Sequence, residues 1–459
     1  MSNKRNIIFI FIISLVIGTI SLNIKASLIV TGIILLLISF FLIYKATGTV
    51  IIPTFPLIYF VFYVLLIYLG SFQIFFENNM DNPKYFIATN LTLLLFPLGT
   101  WLANIILKYK PRTEVLTYIK KPIVKVSYDF KNIFLFIFLL LISISFSLLS
   151  LYRLPQIPLI SAIKNPGEQF NISKAREAAT ILFPGKFHWY RFFFSDVLSL
   201  LSIMLFVKAL TSPRYRKTWK LIASSLILLT SFMLLIDMRK APIIIYSLSL
   251  IIAFIIIKGG LKFKHIIVFG LITLFFLAIT YSLWTGLFVQ TDTIKEKILA
   301  LVPIYNRIVL GQTRALYWYF KIFQTSSDFL MGKSFPNPGG ILPYEPISLT
   351  RYVYNIVFPQ SKIEGSMPTV FFGEIYANFG YYIMFLSVLL LGLILQSVQI
   401  YFIRRPKTIL SVSFMAFLVI YVKNLTATSL FQVFNIFLLI LIFLIILFRI
   451  RFISSSKAI

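Results

Sequence analysis

The chain reads as an all-α polytopic integral membrane protein of about 12 transmembrane helices, with two external loops that contain short helices. Composition, the length of the apolar runs and the placement of charge predict this. Of the 459 residues, 59% are hydrophobic and 12% are charged, and the mean hydropathy is +0.93. A soluble protein carries about 25% charged residues. A bilayer core is crossed by roughly 20 apolar residues in a helix, which pairs its own backbone polar groups. The runs at 133–151 and 434–447 do not alternate. That excludes an outer-membrane barrel, whose strands are alternating segments of roughly 10 residues.

The span-length criterion places helices near 6–22, 27–45, 54–76, 87–107, 133–151, 192–210, 221–237, 241–258, 266–285, 376–402, 409–422 and 431–448. Residues 47–56 barely separate the second from the third. Lys4 and Arg5 precede the first run, no small-residue cleavage site follows it, and more spans do, so it reads as a retained helix. The whole of 1–459 is one membrane domain, without tandem repeats or a separable soluble unit.

The net charge is +29, yet the cations punctuate the spans instead of forming one block. Zinc-finger spacing, RNP-like aromatics and a basic recognition helix are all missing, so nucleic acid is not an expected partner. The connectors 108–131, 214–220, 258–264 and 404–407 and the tail after Arg449 are basic, and with twelve spans all lie on the side of the N-terminus. The positive-inside rule then puts both termini in the cytoplasm, with 152–191 and 286–372 as the external loops. Loops longer than about 15 residues are usually functional. Cys is absent, which removes disulfides, thiolate catalysis and Cys-ligated metals.

The first external loop opens with proline-rich extended chain, and a short helix is expected over 172–181, capped by Asn171 or Ser173 and ended by Pro184 and Gly185. It carries Arg153, Lys164, Lys174, Arg176, Lys186 and Arg191 against Glu168 and Glu177. Interfacial anchoring explains such cations, above all Arg191 between Tyr190 and Phe192. The sharper reading is anion binding, for which Arg176, in mid-loop, is the best placed.

In the second loop a helix is expected over 293–322, kinked at Pro303. Arg307, Arg314 and Lys321 recur every seven residues on one face, with Gly311 on the same side, and Tyr317 to Phe320 supply aromatic rings. A solvated basic face is one account of this stripe. The other is a phosphate track, since guanidinium forks fit phosphate oxygens and Tyr317 offers a flat ring to a sugar. Gly332 to Gly340 should form irregular turns, without the context of a phosphate-binding loop, and Arg351 lies beyond. Glu374 and Asn378, with Tyr381 or Tyr382, share one helical face at the membrane boundary. Glu374 either snorkels, pairs with a loop arginine, or serves as a base.

Between the seventh and eighth spans stand Asp237, Met238, Arg239 and Lys240, where charge so near lipid is costly. A hairpin turn exposed to outer headgroups would tolerate them, but cations are disfavoured on that face, and Arg239 is the leading single candidate. His265 sits in a basic connector and reads as structural; His188, in the first loop, is a candidate base. No HExxH motif or acidic cluster supports a metal, and no cofactor is expected.

In this architecture, and in Pro368 and Thr369 followed by Gly373, Glu374, Ile375, Tyr376, Ala377, Asn378, Phe379 and Gly380, the chain resembles the bacterial O-antigen and capsule repeat-unit polymerases of the Wzy type. The turn bearing Arg239 is similar to the arginine-bearing turn those proteins carry between two central spans. The resemblance implies a metal-independent glycosyltransferase in the bacterial cytoplasmic membrane. A glycan on undecaprenyl pyrophosphate would pass to a hydroxyl of an incoming lipid-linked repeat unit at the outer face, with membrane lipid and a chain-length regulator as possible partners. Arg239, Arg176 and Arg314 would steady the pyrophosphate, with Lys240, Arg307, Tyr317, Arg351 and Asn378 as further substrate contacts, and Glu374 or His188 as base. The rivals are the related O-antigen ligase and a lipid-linked oligosaccharide flippase. The span interiors hold few ionisable groups and the polar mass is external, which favours an enzyme over a transporter.

Overall fold

The computed structural model describes residues 24–49, 52–78, 82–124, 130–154, 156–165, 167–181, 183, 186–212, 215–260, 271, 302–323, 329–337, 340–361, 365–433 and 435–454. The spans expected at 6–22 and 266–285, His265 and the start of the second loop lie outside them. Among the described residues every regular element is a helix: α1 (Ile24–Thr47), α2 (Phe55–Glu77), α3 (Pro83–Ile106), α4 (Pro111–Lys120), α5 (Phe130–Arg153), α6 (Pro158–Lys164), α7 (Gln169–Ile181), α8 (Phe187–Thr211), α9 (Arg216–Leu235), α10 (Lys240–Lys258), α11 (302–322), α12 (Leu349–Val357), α13 (Phe371–Arg404), α14 (Ile409–Asn424), α15 (Leu430–Val433) and α16 (Ile436–Ser454). Eight of these, α1, α2, α3, α5, α8, α9, α10 and α13, are long and apolar enough to cross a membrane. This is the architecture of a multi-pass membrane protein. The shorter apolar α14 and the apolar α16 cover the sequence expected to hold the last two spans.

The apolar windows of α1 and α5 are each only 22% buried, against 67% for α8 and 61% for α2. The first two are therefore peripheral and the second two central. Leu37, Leu141 and Leu228 stand exposed on the outer helices. An apolar surface of that extent needs a lipid or protein partner.

At the centre α3 lies against α13 with backbones almost touching. A Cβ built on Gly99 would stand 2.0 Å from the Leu389 carbonyl oxygen, and one on Gly392 would stand 2.2 Å from the Phe96 carbonyl oxygen. Small residues let helices approach closely in lipid, where dispersion rather than water drives association. Near one end of this pair a polar knot ties four helices. Gln396 donates to Asn104 Oδ1 (2.7 Å), Asn104 donates to the Ala46 carbonyl (2.8 Å), and Gln399 accepts from Phe55 N (3.1 Å). Just beyond it Arg404 grips Glu114 with two bonds of 2.9 and 3.1 Å, and this holds the Glu114 carboxyl below its usual range. Lys407 is buried and donates to the Ile119 carbonyl. The basic connectors at 107–124 and 404–408 thus meet at one end of the bundle.

Among the described residues three turns are π-helical: Val64–Tyr68 in α2, Phe192–Val197 in α8 and Asn306–Leu310 in α11. The first and third pack together. Thr313 Oγ1 lies 3.1 and 3.2 Å from the Leu66 and Ile67 carbonyls, and a Cβ on Gly70 would meet Val309 O at 2.4 Å. A π turn widens the helix and leaves carbonyls for such a hydroxyl.

Sequence patterning missed several boundaries. The first loop is extended at Ile157, as expected, but only briefly, because Pro158 opens α6 at the position where a missing N–H costs nothing. Helix α7 starts at Gln169, which places Asn171 and Ser173 inside it and not at its cap. Helix α8 begins at Phe187, earlier than the span expected from 192.

Substituting Leu for Gly392 should destabilise the protein by about 1–3 kcal/mol or more, because a side chain must displace α3 backbone rather than a mobile side chain. Thermal unfolding in detergent measures this; an unchanged midpoint would show that the contact is not tight.

Candidate functional site

The end of the bundle opposite the Glu114–Arg404 pair holds the remaining chemistry. Helix α9 stops at Leu235 and α10 starts at Lys240. Between them Met238 adopts φ +53, a left-handed conformation costly for a non-glycine residue. Its side chain is buried with Ala162 of α6 and Ile172 of α7. Leu159 N donates to the Ile236 carbonyl. The strained turn is thus clamped by the first loop. Ile172 and Arg176 are one helical turn apart, so the residue that packs on Met238 aims Arg176 at the charges beside it.

Those charges form one group. Arg239 Nε lies 3.8 Å from Asp237 Oδ2, a loose pair. Burial, then Arg191, then Arg176 lower the Arg239 guanidinium to about 10, while Asp237 works in the opposite direction. Arg176 is lowered as well, by burial first and by Arg307 last, with Asp237 again opposing. Four arginines from α7, the first turn of α8, the α9–α10 turn and α11 therefore share one electrostatic neighbourhood containing Asp237. Arg176 and Arg239 are partly desolvated and Arg307 is exposed, and cations grouped in this way can hold a multivalent anion.

The structure brings Arg176, Arg239 and Arg307 together and adds Arg191, whose place between Tyr190 and Phe192 suggests a lipid anchor. Asp196 also went unnoticed. It lies five residues beyond Arg191 across the π turn Phe192–Val197 and interacts with it. In an α-helix that spacing puts two side chains on different faces; a wider π turn realigns them. A lone carboxylate in an apolar run was the available signal. Lys240 opens α10. His188 and Arg351 are exposed, on α8 and α12.

Arg314 pairs with Glu77 at the end of α2, 3.7 Å away. Tyr305 donates to Gln73 on the same helix (2.8 Å). Tyr317 presents no open ring to a sugar, since it is buried with Tyr85 edge-on at 5.6 Å. The exposed Lys321 caps Tyr317 and Trp318, its Nζ 5.8 and 5.2 Å from their ring centres.

Glu374 and Asn378 also differ from expectation. Helix α13 breaks at Gly380, where φ is +76, and a Cβ there would meet Phe329 at 2.9 Å. The break frees the Ala377 and Asn378 carbonyls, which accept from Leu330 N and Met331 N, each at 3.0 Å. Asn378 donates to Ser334 Oγ (2.7 Å) and to the Glu374 carbonyl (2.8 Å), and accepts from Gly332 N (2.9 Å). Both its donors are used, so Asn378 staples the loop and does not face a substrate. Among the described residues Glu374 pairs with no arginine. Ser334 Oγ donates to one carboxylate oxygen (3.2 Å) and Leu430 N to the other (3.1 Å). Glu374 lines a recess of about 590 Å³, open mouth included, formed by Ser334, Pro336, residues 347–350, the start of α13 and the turn before α15.

Among the described residues no cluster of His, Cys, Asp and Glu could hold a metal ion. Comparison with described protein families, curated proteins and solved structures finds no match for this chain.

Added inorganic pyrophosphate should raise the melting midpoint in detergent, by the equivalent of about 2.7 kcal/mol at a hundredfold excess over its dissociation constant. The double variant Arg176→Ala/Arg239→Ala should lose most of that rise, and sodium chloride of equal ionic strength should not reproduce it. The same rise in wild type and variant would remove these arginines from anion binding.

Proposed function

We propose that this protein is a glycosyltransferase of the bacterial cytoplasmic membrane that polymerises undecaprenyl-pyrophosphate-linked repeat units into O-antigen or capsular polysaccharide at the outer face. The observation that carries this reading is the convergence of Arg176, Arg191, Arg239 and Arg307 beside Asp237, at the end of the bundle remote from the basic connectors. On the twelve-span topology that end is external. A lipid-linked diphosphate supplies the multivalent anion, and the exposed apolar helices supply the setting for its isoprenoid.

The acceptor hydroxyl oxygen attacks the anomeric carbon of the donor glycan, and the bond from that carbon to the phosphate oxygen breaks. Undecaprenyl pyrophosphate leaves with the electron pair, and the hydroxyl proton passes to a base or to solvent. Negative charge grows on the leaving oxygen, where the guanidinium groups stand preorganised. His188, exposed near Arg191, is a candidate to take the proton. Such chemistry needs no nucleotide and no divalent metal.

Deletion of the gene should leave single-repeat glycans, and Arg239→Ala should do the same with protein level and insertion intact. Arg239→Lys should recover part of the chain length, because an ammonium keeps the charge but loses the fork. A normal length distribution in Arg239→Ala would exclude the residue from the mechanism. Full-length unattached chains in the deletion would indicate a ligase. Labelled oligosaccharide transport in liposomes without elongation would indicate a flippase.

The chain has no cysteine, so single cysteines report sidedness without background. A membrane-impermeant thiol reagent should label Lys174→Cys in intact spheroplasts and Lys110→Cys only after lysis. The reverse pattern would invert the topology and end this proposal.

A further inference from the structure

The recess above Glu374 differs in chemistry from the arginine group. Its walls carry the hydroxyls of Tyr319, Ser334, Ser348, Thr350, Thr369 and Ser429, and among the described residues no basic side chain lines it, in a chain of net charge +29. Pro336, Ile347 and Val370 add apolar surface. Glu374 is buried, and among the described residues its carboxylate accepts from a serine hydroxyl and a backbone N–H, both neutral. A carboxylate has about four lone-pair sites, so two bonds leave acceptor capacity directed at neutral donors.

The walls are held in place by bonds that do not involve Ser348 or Thr350 side chains. Thr369 Oγ1 donates to the Gln312 carbonyl (3.0 Å), Tyr319 Oη to the Met367 carbonyl (3.2 Å), Ile347 N to the Lys333 carbonyl (2.8 Å) and Met367 N to the Thr350 carbonyl (2.9 Å). Phe371 N donates to the Leu425 carbonyl (3.1 Å), fixing the base of α13 to the turn that carries Ser429. A preformed cavity with hydroxyls, one carboxylate and intervening apolar patches matches a pyranose ring, which has polar edges and apolar C–H faces. Helix α11 links this recess to the arginine group. Arg307 lies in its π turn and Tyr319 near its end, about 18 Å apart at 1.5 Å per residue.

We infer that this recess is a saccharide-binding subsite, in which Glu374, Ser348 and Thr350 accept from and donate to ring hydroxyls of the acceptor glycan. The assignment of the saccharide as acceptor rests on the polymerase reading. The binding of a neutral sugar does not.

The test uses the purified full chain in detergent and the free repeat-unit oligosaccharide, cleaved from its lipid by mild acid. Wild type should bind it, by saturation-transfer NMR or calorimetry. Thr350→Val keeps the side-chain shape and should weaken binding about tenfold, as should Ser348→Ala, since one hydrogen bond is worth about 1–1.5 kcal/mol. Arg239→Ala should bind the free oligosaccharide as wild type does while failing to elongate. In steady-state elongation Thr350→Val should raise KM for the acceptor and leave kcat near wild type. Absence of binding to wild type, or binding to Thr350→Val and Ser348→Ala equal to wild type, overturns the subsite. Binding by wild type without any elongation keeps the subsite and overturns the polymerase reading.

Discussion

Holding arginines close together without a bound anion is unfavourable, and the packing of Met238 against Ala162 and Ile172 is what enforces it. Burial first, and then repulsion from Arg191 and Arg176, disfavours the charged form of Arg239. That repulsion is met by buried apolar contact on one side and by Asp237 on the other. The left-handed backbone at Met238 fits this account, because strain persists only where surrounding contacts over-determine it. The first loop is therefore a structural clamp as well as a source of Arg176. A change at Ile172 or Ala162 would disturb the charges without touching one.

The membrane helices supply the rigid frame for that clamp. The α3–α13 contact is so close that Gly99 and Gly392 leave no room for a methyl group. The Gln396–Asn104–Ala46 knot fixes the register of the same helices. Rigid spans and π turns divide the work. Three π turns rotate the residues beyond them out of ordinary helical register, and two of them lie in helices that bring Arg191 and Arg307 to the cluster. The extra residue costs good hydrogen-bond geometry and places a side chain where regular α spacing does not.

The spans were legible because lipid is a nearly uniform solvent, and a run of apolar residues is enough to satisfy it. Arg176 and Arg239 were legible as cations on a face where cations are disfavoured. Arg191 and Asp196 were not, because their relation exists only across a π turn, which depends on the helices packed around it. Tyr317 looked available because an aromatic run does not say which ring faces the core. The polar face of Glu374 and Asn378 was visible in their spacing, but its partner was not. The partner is the 330–334 segment, which docks on carbonyls released at Gly380.

The separation of the two polar regions has a physical logic. Asp237, Glu77 and Glu114 each lie within 4.0 Å of an arginine nitrogen, whereas the bonds to Glu374 come from a serine and a backbone amide. Asp237 already offsets part of the charge of the arginine group, and a further carboxylate there would offset more of it. Removed along α11, Glu374 remains an acceptor for hydroxyls, and the arginines keep their surplus of positive charge. On the proposed function, one helix would then serve an anionic leaving group near one end and a neutral sugar near the other. Transfer between two lipid-linked glycans requires both kinds of contact at the same time.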